Sequence, residues 1–154
     1  MENVTEYLTS HVNTVLAALC VSLALAAIDA GRGGVDYASA GQGPLLVVRA
    51  GGDNFQRNAT GLPLGILPQA RFESGEAIDL APGDAFFIIS DGIFECETAD
   101  GGDLGMPRVI ANIQQHLAGP AETVIRALAK LTESVSPSGR FRDDRTIVVA
   151  KRVE

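Results

Sequence analysis

Short apolar runs broken by glycine-rich reversals constrain this chain more than any other feature. Leu19 to Ile28, Val35 to Ser39, Leu45 to Arg49 and Ala85 to Ser90 are such runs. Between them stand Ala30-Gly31-Arg32-Gly33-Gly34, Ala40-Gly41-Gln42-Gly43-Pro44, Gly51-Gly52-Asp53 and Pro82-Gly83-Asp84. Runs this short, punctuated by residues that accept positive φ or remove a backbone donor, predict strands in an antiparallel meander. Leu19–Ile28 and Ala85–Ser90 are apolar enough to read as buried strands. Arg71 to Leu80 is predicted as a further strand, turned back by Pro82-Gly83-Asp84. The Leu62-Pro63-Leu64-Gly65-Ile66-Leu67-Pro68 segment cannot join a ladder, because its prolines lack donors. It reads as an ordered apolar loop crossing the edge of the core.

Helical periodicity appears at both ends. Val4, Leu8, Val12 and Val15 share one face of a short helix over 4–17. In the second half Val109, Ile110, Ile113 and Leu117 form a stripe over 107–117. Pro120 opens a longer helix in which Val124, Leu128 and Leu131 repeat beside Ile125. Ser134 to Arg142 is a polar loop, and Thr146 to Val153 is a closing strand. Strands, two helices and a last strand define an α+β fold, with helices packed on a largely antiparallel sheet. A length of 154 residues suits one domain over 1–154.

Charge and cysteine usage narrow the function. A net charge of −7 and a pI near 4.8 argue against a nucleic-acid backbone as partner. The most apolar stretch, Val15–Ile28, is too short to cross a bilayer, which takes about 20 residues. Glu2 and Glu6 precede it without a Lys or Arg, so the basic start of a signal peptide is missing. Cys20 and Cys96 have no CxxC spacing, which disfavours zinc and fits a reduced compartment. The expectation is a cytoplasmic chain that does not engage membranes. Cys20 reads as core, and Cys96 stands among acids, a poor setting for a reactive thiolate.

From Glu73 to Asp103 the chain carries acids and no Lys or Arg. A solvated face and a cation-attracting site both explain that run. Asp91 sits between the apolar run Ala85–Ser90 and Gly92, and Asp143-Asp144-Arg145-Thr146 leads into Ile147-Val148-Val149. If those two strands are neighbours, two carboxylates converge at one sheet edge and require a cation, for which oxygen donors select Mg²⁺ or Mn²⁺. The alternatives are a simple Asp-Gly turn at 91–92 and a solvating pair at 143–144. Glu95 and Glu97 read as surface residues, and His11 and His116 as isolated helix positions. Asp100-Gly101-Gly102-Asp103 lacks calcium-loop spacing, and Ser74-Gly75 and Ser138-Gly139 lack a nucleophile-elbow context.

Several segments, in order, resemble one family. Tyr37-Ala38-Ser39-Ala40-Gly41-Gln42-Gly43-Pro44, Pro63-Leu64-Gly65, Leu80-Ala81-Pro82-Gly83-Asp84, Ser90-Asp91-Gly92-Ile93-Phe94-Glu95 and Asp143-Asp144-Arg145-Thr146 are similar to PPM metal-dependent protein phosphatases. The nearest branch is the bacterial SpoIIE-like group of stress and sporulation regulators, and the resemblance runs from about Leu19 to the C-terminus. It implies a layered α-β-β-α sandwich and a binuclear Mn²⁺ or Mg²⁺ centre. It further implies hydrolysis of phosphoserine or phosphothreonine on a regulatory protein by a metal-activated water. By the match Asp91 and Asp143 are the catalytic metal ligands, with Gly92 and Asp144 beside them. Gln42 stands where the group usually has His. The family's upstream Asp-Gly pair, first two strands and first long helix are expected to lie outside this chain, which would leave the C-terminal two-thirds of the fold. That departure keeps open a catalytically inactive, partner-binding module, and predicts self-association through exposed sheet edges.

Overall fold

The computed structural model describes residues 21–67, 70–136 and 143–154. The helix expected over 4–17, with His11, Cys20 and Ser138-Gly139, lies outside the described residues. The described residues form two compact units, one of residues 21–45, 57–67 and 70–79, the other of 46–56, 80–136 and 143–154.

In the first unit β1 (Leu23–Asp29), β2 (Gly34–Ala40) and β5 (Ile78–Asp79) form an antiparallel sheet in the order β1-β2-β5. The β1–β2 hairpin pairs Leu23 with Ala40 and Asp29 with Gly34. Its reversal is closed by Asp29, whose Oδ1 accepts from the Gly31 and Arg32 amides at 2.9 and 3.1 Å. Ser39 anchors the loop opposite: its amide donates to Thr60 Oγ1, and its carbonyl accepts from the Thr60 and Gly61 amides. Leu64 is buried with Ala40 and Phe72 and exchanges backbone hydrogen bonds with Val21, so the proline-rich segment meets the core at Leu64, while Leu62, Ile66 and Leu67 are exposed.

Two strand expectations fail here. β1 is not buried: Ile28 is 48% exposed and Ala26 to Asp29 all face solvent, because β1 pairs on one side only among the described residues. The strand expected over Arg71–Leu80 shrinks to Ile78–Asp79, paired with Val35 and Gly34. At Gly75 the chain stays beside β2, its amide donating to the Tyr37 carbonyl at 2.8 Å, and a Cβ there would stand 2.0 Å from the buried Tyr37 ring.

The second sheet has the order β4-β3-β6-β7, with β3 at Leu45–Val48, β4 at Asn54–Arg57, β6 at Ala85–Ile89 and β7 at Ile147–Lys151. In the second unit α1 (Asp91–Phe94), α2 (Met106–His116) and α3 (Ala121–Val135) follow β6. Phe87, Ile89, Ile93, Val109, Ile113, Val124 and Leu128 make one buried cluster, so the stripes on α2 and α3 are the faces read from periodicity. Burying each such side chain contributes roughly 1.5–3 kcal/mol. Lys151 donates to the Leu117 and Gly119 carbonyls at 2.6 and 2.7 Å, satisfying orphan acceptors beyond α2. The mixed α+β architecture with antiparallel sheets and C-terminal helices is as expected.

Candidate metal centre

Register places the two acidic segments side by side. β6 is buried almost throughout. β7 pairs antiparallel with it, Ile89 opposite Ile147 and Ala85 opposite Lys151. Residues that follow Ile89 must therefore lie beside those that precede Ile147. The Ser90 amide extends the ladder to the Thr146 carbonyl at 3.0 Å. The Ser90 hydroxyl donates to the Asp144 carbonyl at 3.0 Å and accepts from the Thr146 amide at 2.8 Å. Ser90 precedes a one-turn helix, where a serine usually caps amides; here its hydroxyl spans two segments instead.

Gly92 brings the backbones closer still. A Cβ at that position would stand 2.4 Å from the Asp144 carbonyl oxygen and 3.2 Å from that of Asp143. Only a residue without a side chain permits this approach. Asp91 is exposed as the first residue of α1 while Ile93 is buried, so α1 turns its acid outward on an apolar anchor. Asp91 Oδ1 accepts from the Gly92 amide at 2.9 Å, and Asp143 Oδ1 from the Asp144 amide at 2.7 Å. Asp143 and Asp144 are both exposed. With Arg145, Ile93, Ile125, Ala129 and Ile147 they line a cleft of about 720 Å³.

Other acids of the Glu73–Asp103 run are dispersed. Glu73, Glu76 and Asp79 belong to the first unit, where Glu76 pairs with Arg57 at 2.8 Å. Asp84 lies at the opposite end of β6 from Asp91, 3% exposed, and pairs with Arg49 at 2.6 Å. Burial pushes its carboxyl upward, but the Arg49 hydrogen bond and the Ala50 and Ala81 amides outweigh that and hold it below its ordinary range. Asp100 to Asp103 close a turn through Thr98, whose amide and hydroxyl both donate to the Gly102 carbonyl. Gln42 in the first unit accepts from the Ser22 hydroxyl at 3.3 Å. Cys96 is core, its Sγ 3.7 Å from the Thr132 carbonyl oxygen.

Carboxylates are the hard donors that Mg²⁺ and Mn²⁺ select, and Mg²⁺ sites commonly use one or two of them, with water and phosphate oxygens filling the remainder. Asp91 and Asp143, with Asp144 adjacent, fit that description in donor type. Among the described residues, no three His, Cys, Asp or Glu side chains gather into one metal-holding group. Sequence reasoning named Asp91, Gly92, Asp143 and Asp144 but missed Ser90 and Arg145. The signal for Ser90 was its place at the end of a buried run; Arg145 gave none.

The mixed α+β fold with antiparallel sheets and C-terminal helices matches that of PP2C-like phosphatase domain structures. The chain belongs to the family described as Stage II sporulation protein E (SpoIIE), whose profile matches residues 1–153. It is 30% identical over 121 residues to the phosphoserine phosphatase RsbU of Bacillus subtilis, covering 75% of this chain and 34% of that protein. Among solved structures it is similar to the SiaA PP2C domain of Pseudomonas aeruginosa, with a TM-score of 0.75, 20% identity, and coverage of 90% of this chain and 54% of that one. RsbX in complex with magnesium gives a TM-score of 0.66 at 15% identity, covering 96% of this chain and 64% of that one. The chain thus spans about a third of its curated relative and about half of the SiaA domain structure. Among the described residues no helix is long and apolar enough to cross a membrane.

Proposed function

We propose that this chain serves metal-dependent hydrolysis of phosphoserine or phosphothreonine on a regulatory protein of bacterial signal transduction in the cytoplasm. Asp91 and Asp143 hold Mn²⁺ or Mg²⁺, with Asp144 in reserve and Gly92 setting the approach. The observation that carries this reading is the contact of Gly92 with the Asp144 carbonyl, since it joins two acidic segments about fifty residues apart. A divalent cation bound there supplies an activated water and neutralises phosphoryl oxygens. The residues themselves do the positioning. Ser90 fixes the 144–146 backbone, Ile93 anchors the turn that presents Asp91, and the exposed carboxylates stay open to a phosphorylated protein surface. The edge of β1 that is unpaired among the described residues supports self-association into a dimer or larger oligomer.

The test is Mn²⁺-dependent hydrolysis of p-nitrophenyl phosphate by the full-length protein carrying this chain, beside its Asp91→Asn variant. Loss of turnover in the variant is expected, and unchanged turnover would remove Asp91 from the mechanism. A wild-type protein without metal-dependent turnover would favour a phosphatase-like module that binds a protein partner without catalysis.

A further inference from the structure

We propose that Arg145 is a positioning residue for Asp143 and Asp144, and that Thr132 on α3 is its buried anchor. Thr132 is fully buried near the C-terminal end of α3. Its hydroxyl donates to the Ala129 carbonyl at 2.8 Å, which commits its only proton. The remaining lone pairs can only accept, and Arg145 Nη1 donates to that oxygen at 2.5 Å. An arginine carries donors and no acceptor, so the two groups match in one direction only. Arg145 lies between Asp144, whose carbonyl accepts from Ser90, and Thr146, whose amide donates to Ser90. The acidic segment is therefore held from two sides, by β6 through Ser90 and by α3 through Thr132. Arg145 lines the same cleft as Asp143 and Asp144. Groups that orient metal-ligating side chains in this way commonly change metal affinity 10–100-fold when removed.

The metal part of this inference rests on the reading under the previous heading; the ordering of the segment does not. Two measurements on the full chain separate them: exchange of the Thr146 amide without metal, and Mn²⁺ affinity by calorimetry. Thr132→Val keeps the shape and removes the acceptor, whereas Thr132→Ser keeps the hydroxyl. In Thr132→Val the Thr146 amide is expected to exchange about tenfold faster, and Mn²⁺ to bind roughly 10–100-fold more weakly. Arg145→Met should behave alike, the double variant no worse than either, and Thr132→Ser close to wild type. Unchanged exchange and affinity in Thr132→Val would overturn the proposal. So would equal losses in the valine and serine variants that track global unfolding, since Thr132 would then act through packing alone. If the wild-type chain binds no Mn²⁺, the metal reading fails, and Thr146 exchange by itself still decides the role of Arg145.

Discussion

Replacing Gly92 by alanine probes the closest approach in the candidate site. The new Cβ would stand 2.4 Å from the Asp144 carbonyl oxygen, 3.1 Å from its carbon and 3.2 Å from the Asp143 oxygen. All three are backbone atoms, so no side chain can swing aside. Ordinary contact begins at 3.4 Å, and the 143–144 segment must therefore retreat by about 1 Å. Overpacking of this kind costs roughly 1–3 kcal/mol. Alanine's better helix propensity in α1 returns at most about 1 kcal/mol. The net loss is then about 0–3 kcal/mol, a fall in Tm of no more than roughly 12 °C for a domain of this size. Function should suffer far more, because a 1 Å misplacement of reacting groups costs about 100-fold. Thermal melting together with Mn²⁺-dependent hydrolysis by the full-length protein reads both effects. Gly51→Ala is the control: its Cβ would meet nothing within 4 Å, and it should be neutral or stabilise by about 0.4–1 kcal/mol. A folded Gly92→Ala protein with activity within about twofold of wild type would refute the argument that this contact sets the site.

Three further outcomes are expected. Asp84 has its carboxyl held below the unfolded value, so its contribution is complete above an unfolded pKa of about 3.9 and is lost as pH falls through the folded pKa. Asp84→Asn should accordingly cost about 1.5–3 kcal/mol near neutral pH, with the gap to wild type narrowing below about pH 4 in acid melts; a gap independent of pH would discount the Arg49 pair. Asp143→Asn should weaken Mn²⁺ binding by calorimetry more than Asp144→Asn, and the reverse order would assign the ligand to Asp144. Light scattering should report a dimer or larger species, as a β1 edge unpaired among the described residues implies, and a clean monomer would contradict that.

What could be read from the sequence followed from periodicity and from chain order. Val109, Ile113, Val124 and Leu128 announced the packed faces of α2 and α3, and the run Ala85–Ile89 announced a strand buried on both faces. Asp91 and Asp143 could be placed at strand ends without coordinates. That the backbones at 92 and 143–144 meet could not be read, because it depends on Ile89 pairing with Ile147, a register that no local pattern specifies. Over Arg71–Leu80 the expected strand is realised only at Ile78–Asp79, and at Gly75 the chain passes too close to the Tyr37 ring for any side chain. Ser90 and Asp84 had partners fixed only by folding: one hydroxyl spans two segments, and one carboxylate serves Arg49 at the far end of β6 rather than the acidic site. Runs of like charge give composition but not direction.

Paramagnetic broadening by Mn²⁺ would test most directly whether the 91–92 and 143–144 segments share one cation. With Mn²⁺ well below the protein concentration, the amides of Gly92 and Asp144 should broaden together, while that of Asp84 at the other end of β6 stays sharp. Broadening confined to one segment, or centred on Asp84 or Asp100, would contradict a shared site.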